Sequence, residues 1–286
     1  YLGEEVDLED IGEEHIIPKS LGGTNQLVIG VQEIKNNTLG STLDSPIADL
    51  PIVLSARNRY GLKGRSKKDP RYIWQVEHLG VKGSLDMRPD TPQFTTYRSQ
   101  SPYGINFEKA IQNGEKMAVS FSLDENLLTS FGAKIALGVG WYLFGDIFKE
   151  HGYHAPLRAL MNEKKSIQKL EFLVAHKEPA GFWGLSWPKS LRTSSVFPVW
   201  FDALAIREDR HLVFTLHTTS EIVLGISLFS GLFRWYFCLS NKPEMFPIGG
   251  DFEPGAALEI DLKKRVFRQV SLRSYLNEYL AEIEKT

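Results

Sequence analysis

The stretch Glu13-Glu14-His15-Ile16-Ile17-Pro18-Lys19-Ser20-Leu21-Gly22-Gly23-Thr24-Asn25, followed by Asn36-Asn37-Thr38-Leu39-Gly40, decides how this chain is read. Ile16 and Ile17 are β-branched and precede Pro18, which biases the pair to extended geometry and predicts His15 on a strand. Leu21-Gly22-Gly23-Thr24-Asn25 is a turn signal, and Gln26-Leu27-Val28-Ile29-Gly30-Val31 reads as the returning strand. From Gln32 the pattern turns helical, with Ile34, Leu39 and Leu43 assigned to a common face and Asn36 to the opposite one. Two asparagines in mid-segment lower helix propensity, which marks them as residues with a use. A carboxylate beside an imidazole, an amide ten residues on and a second amide on the helix form a small but chemically complete set: a metal ligand, a base, an orienter and another ligand.

The order Glu-His-Ile-Ile-Pro, then Ser-Leu-Gly-Gly, then Asn, then Asn-Asn-x-Leu-Gly resembles the HNH endonucleases over roughly residues 1 to 45. Weaker likeness continues through the basic segment that follows and the Gly-Ala-Lys-Ile-Ala-Leu stretch near residue 135. The resemblance implies an N-terminal ββα-metal unit, a β-hairpin packed on one helix around a divalent cation. Its activity would be hydrolysis of phosphodiester bonds, with DNA as the expected substrate, RNA left open, and a 5′ phosphate and 3′ hydroxyl as products.

That reaction needs a nucleophilic hydroxide, stabilisation of charge on the scissile phosphate and neutralisation of the leaving oxygen. A free histidine titrates near pH 6.5 and is therefore available as a base at neutral pH. The resemblance gives that role to His15 and makes Asn25 the residue that fixes its tautomer. It places one divalent cation, Mg²⁺ or Mn²⁺, on Glu14 and Asn36, with Asn37 as the alternative ligand if the register is one residue off. Many HNH proteins also carry Cys-x-x-Cys pairs before the hairpin and at the helix start. Here the helix positions are Gln32 and Lys35 and no cysteine precedes His15, so no structural zinc is expected. Packing by Val31, Ile34 and Leu39 is expected to hold the small unit instead.

Composition sets the frame around this motif. With 286 residues, 42% hydrophobic and 24% charged, the chain can bury a core, which argues against disorder and for one large or two moderate domains. A net charge of −2 supplies no attraction of the whole molecule to a polyanion, so nucleic-acid contact has to come from a local patch. The segment Arg57-Asn58-Arg59-Tyr60-Gly61-Leu62-Lys63-Gly64-Arg65-Ser66-Lys67-Lys68 is basic and glycine-broken. Arg57, Arg59, Lys63, Arg65, Lys67 and Lys68 are its candidate phosphate contacts, although such a strip also suits a solvated linker. The division that follows is 1–56 as the HNH-like unit, 57–71 as basic linker, and 72–286 as a larger mixed domain, α+β in class overall.

In that larger part short strands are expected from Tyr72 to Phe107 and over Met117–Leu123, and a long helix from about Glu125 to Glu150. Helices should also open near Pro156 and close the chain over Tyr275–Ile283. A meander of Leu212–Leu216, Ile222–Phe229 and Phe233–Leu239, with Gly231 in a turn, should be followed by a strand pair over Leu258–Val270. Cys238, the single cysteine, reads as a buried structural thiol in a half-buried strand, which suits a reducing cytoplasm. The apolar run Ile135–Phe148 reads as a core helix too short to span a bilayer, and no signal peptide is visible, so no membrane partner is expected. His151 and His154 fit a helix-ending turn better than a metal pair, and His211 and His217 fit strand ends. Trp183, Trp187 and Trp200 could stack bases, but packing is the preferred reading. Two rivals to the nuclease stay open. One is a catalytically degenerate nucleic-acid-binding module, and the other a regulated effector whose C-terminal part forms homo-oligomers or binds a regulatory protein or ligand.

Overall fold

A computed structural model describes residues 7–64, 67, 70, 72–78, 81–87, 93–96, 113, 118–120, 123–162, 204, 207–247 and 254–284. In chain order, strands β1 (Ile11–His15) and β2 (Val28–Gln32) precede helix α1 (Glu33–Leu39), a π turn over Gly40–Asp44, and helices α2 (Ser45–Ala48) and α3 (Pro51–Arg59). Strands β3 (Tyr72–His78), β4 (Val81–Met87), β5 (Gln93–Thr96) and β6 (Ala118–Ser120) follow, then helices α4 (Glu125–Phe144), α5 (Asp146–His151) and α6 (His154–Asn162). The chain ends with β7 (Arg210–His217), β8 (Ile222–Leu228), β9 (Phe233–Ser240), β10 (Ala256–Asp261), β11 (Val266–Ser271) and helix α7 (Leu272–Ile283). The class is α+β, as the sequence predicts.

The chain folds as two compact units that interleave along the sequence. One takes the described residues of 1–18, 22–44 and 125–286, and the other those of 19–21 and 45–124. This differs from cuts at residues 56 and 71. The hairpin has an apolar rear, with Ile16 wholly buried, and its cover comes from α4 rather than from neighbouring sequence. The expected linker is also partly helical, because α3 runs through Arg57 to Arg59.

In the first unit β1 and β2 pair antiparallel, with Glu14 opposite Ile29 and His15 opposite Val28. The pairing continues past the strand end through Ile16 N–H to the Leu27 carbonyl at 3.1 Å. Helix α1 follows β2 without a loop. Leu39 and Leu43 are buried, but Ile34 is 74% exposed, contrary to the expected packing role. Helix geometry supplies the reason: five residues at about 100° each place Ile34 roughly 140° around the helix from Leu39.

A five-stranded antiparallel sheet of order β11-β10-β7-β8-β9 forms the larger core of this unit. On one face Leu212, Phe214, Tyr236 and Ala257 pack with Leu272 and Tyr275 of α7. On the other, Phe131 of α4 meets Trp235 edge-on, ring centres 6.1 Å apart. Because both faces are covered, β8 is buried along its whole length and β9 at all but one position, so the expected half-buried alternation is absent. The long helix divides at Gly145, whose φ of 51° ends α4. With 20 residues α4 is long and apolar enough to cross a bilayer by length and composition, but 67% of its apolar window is buried inside the structure.

The second unit contains a four-stranded antiparallel sheet of order β5-β4-β3-β6, with α3 lying against β3. Pro51 opens α3 at its first position, where a missing N–H costs nothing.

Candidate functional site

His15 ends β1, and Asn25 lies in the loop that leads back to β2. The loop is shaped by two adjacent glycines. Gly22 has φ 100°, which side-chain-bearing residues rarely adopt, and Gly23 N–H bonds the Pro18 carbonyl at 3.1 Å. A Cβ on Gly23 would overlap the Ile17 carbonyl oxygen, so the loop closes only around a glycine at that position. This closure brings the Asn25 amide oxygen to 3.0 Å from His15 Nε2. With Oδ1 as acceptor, the bond requires hydrogen on Nε2, and the lone pair of the neutral ring is then on Nδ1. The expected partnership of His15 and Asn25 is therefore present in the geometry.

Asn36 reaches the same strand from α1. Its Nδ2 donates to the Glu13 carbonyl at 3.2 Å across 23 residues of sequence, which leaves Oδ1 as the end of the amide with lone pairs to offer. Asn37 is exposed on the helix.

Glu14 has different surroundings from His15. Adjacent strand residues point to opposite faces, and Glu14 is turned inward with 6% exposure. There it forms an ion pair, through Oε1, with Lys134 of α4, whose ammonium is wholly buried. Lys134 Nζ also donates to both oxygens of Asp44, at 2.7 and 2.6 Å. Burial raises the Glu14 carboxyl above the ordinary carboxylate pKa, and the Lys134 charge offsets part of that rise. The structure thus joins Glu14 to Lys134 and Asp44, and Asn36 to the backbone of Glu13.

Among the described residues no group of three or more histidine, cysteine or acidic side chains is placed to hold a metal. A hydrated Mg²⁺ or Mn²⁺ needs fewer, since such ions keep several waters and take one or two protein oxygens. Asn36 offers Oδ1 as one hard oxygen, whereas Glu14 is turned inward to Lys134 and does not share the face of His15.

The basic strip is only partly as expected. Arg57 is 5% exposed and donates from Nη1 to the Ala48 carbonyl at 3.0 Å, with Asp49 at 4.0 Å, so it holds the second unit together and is not available to phosphate. Arg59, Lys63 and Lys67 are exposed, with the Arg59 guanidinium 5.3 Å from the Tyr60 ring centre. Arg65 and Lys68 lie outside the described residues, as do Trp183, Trp187 and Trp200.

Sequence reasoning missed Lys134 and Asp44. The signal for Lys134 was available, because a lone lysine inside an apolar helix is almost always matched by a buried acid. Nothing local pointed to Asp44, 90 residues away in sequence. Cys238 is buried on β9 as expected, with its thiol pKa pushed up to about 12 by burial.

No family model, no curated protein and no solved structure matches this chain.

Proposed function

We propose that this chain is a metal-dependent endonuclease of the HNH type that hydrolyses phosphodiester bonds of DNA. The observation that carries the reading is the 3.0 Å bond between His15 and Asn25 at the end of a hairpin that runs directly into the helix bearing Asn36. In this reading His15 Nδ1 takes a proton from the attacking water, and the imidazolium that forms stays held at Nε2 by Asn25. Asn36 pins the strand through the Glu13 carbonyl, so that the ring does not drift as it changes charge. Held by Asn36 Oδ1 and water, a divalent cation would polarise a phosphoryl oxygen and neutralise the leaving 3′ oxygen, while Glu14 stays on Lys134. Arg59, Lys63 and Lys67, exposed on the second unit, are proposed as phosphate contacts of that unit.

Supercoiled plasmid with Mg²⁺ or Mn²⁺ tests the reading. The wild-type chain is expected to nick it, and His15→Ala to be slower by about a hundredfold or more. Asn25→Ala should lower kcat roughly tenfold to a hundredfold with little change in KM, because it unlocks the ring without removing a contact to DNA. Equal nicking by wild type and His15→Ala, or none by either, removes the enzyme reading. DNA retention without cleavage would then point to the non-catalytic binding module.

A further inference from the structure

Lys134 is the one lysine placed wholly inside the described structure, and its position is tied to His15 by register. Lys134 and Gly138 are one turn apart on α4 and share a face, while Glu14 and Ile16 are two residues apart and share the inner face of the hairpin. The two pairs meet in order. Lys134 takes Glu14, and Gly138 lies so close to Ile16 that an added Cβ would come within 2.9 Å of Ile16 Cγ1. His15 lies between the two anchored residues and projects from the other face, toward Asn25.

An apolar pair of similar volume would stabilise this contact at least as well, since buried ion pairs recover little beyond their desolvation. A shared ammonium supplies direction instead. Asp44, with both oxygens within 2.7 Å of Nζ, fixes the lysine head, and the fixed head holds the Glu14 carboxylate.

We propose that Lys134 and Asp44 are positioning residues for His15, clamping β1 from behind through Glu14 so that the imidazole meets Asn25 in one orientation. The catalytic consequence rests on the nuclease reading above, while the effect on the imidazole stands without it. The full chain is compared as wild type, Lys134→Met, Asp44→Asn and Arg207→Met. The last variant breaks the ion pairs of buried Arg207 with buried Glu259 and exposed Glu282 elsewhere in the same unit.

Two quantities are read: the ¹⁵N shifts of the His15 ring at a pH where it is neutral, and kcat and KM for plasmid nicking. Wild type and Arg207→Met should show a single Nε2–H tautomer. Lys134→Met and Asp44→Asn should show averaging of both tautomers, with kcat down about tenfold and KM within about twofold. Wild-type ring shifts and kcat in both site variants would overturn the proposal, as would equal changes in Arg207→Met. Should Lys134→Met not fold, Asp44→Asn decides, because it keeps the side-chain shape and removes one charge. Should wild type cut no DNA, the nuclease reading fails and the ring shifts alone judge the positioning role.

Discussion

The imidazoles of His15 and His217 show how surroundings decide what a histidine can do. His15 is partly open to solvent and has an amide oxygen on one nitrogen, which orients its ring. His217 ends β7 beside the Phe144 ring, centres 5.9 Å apart, and among the described residues its buried Nδ1 has no partner. Burial holds the His217 pKa below the ordinary value of 6.5, and His154 is lowered too, first by burial and then by the charge of Arg158. The folded state therefore binds fewer protons here than the unfolded chain does. Stability from these two groups is complete above about pH 6.5 and is lost as pH falls below it toward their depressed folded values. The melting temperature should drop between pH 7.5 and 5.5, and His217→Phe should flatten part of that drop. Parallel curves for wild type and His217→Phe in a calorimetric pH series would show that His217 carries none of it.

At the scale of elements, the hairpin loop is the most constrained part of the site. Gly23→Ala forces the loop open at the Ile17 carbonyl, and overpacking of that kind costs roughly 1–3 kcal/mol. Since Asn25 lies two residues on, thermal melts of this variant should shift down together with a loss of plasmid nicking. Gly40→Ala is the matched control: Gly40 has helical φ and ψ and open space where a Cβ would go, so its melt should stay level or rise. Unchanged melts and nicking in Gly23→Ala would mean that the loop tolerates a second geometry.

The same elements show what could be read in advance. Ile-Ile-Pro and Gly-Gly act through local sterics, and strand, turn and helix followed from them. The pairing of His15 with Asn25 came from the motif resemblance, and the closure of the hairpin loop supplies its physical reason. Glu14 was read by its neighbour in sequence although strand alternation turns it the other way. Its real partners, Lys134 and Asp44, come from a helix and a turn that only tertiary packing delivers. Arg57 was read by the composition of its surroundings, yet one face of α3 is buried, and an arginine there serves the Ala48 carbonyl.

At the scale of the whole molecule, the unit holding His15 cannot be cut at residue 56 without removing its other half. Ile16 is wholly buried and packs on Gly138, and Glu14 has its counter-charge on Lys134, both contributed by α4. Exposing one isoleucine forfeits roughly 1.5–3 kcal/mol. Stripping the partner from a buried carboxylate costs about 3–5 kcal/mol more while the site stays dry. Seven residues of α1 and five-residue strands leave little to offset such losses, because helices this short are marginal without tertiary cover and a lone hairpin is no better. A fragment of residues 1–56 is therefore expected to give a collapsed ¹H–¹⁵N spectrum and no plasmid nicking. Supplying residues 123–286 in trans should restore dispersion to the His15 and Asn25 amides if the two pieces reassemble around Glu14 and Lys134. A well-dispersed spectrum from the short fragment alone would instead show a self-sufficient ββα unit, with α4 an accessory to a site already built.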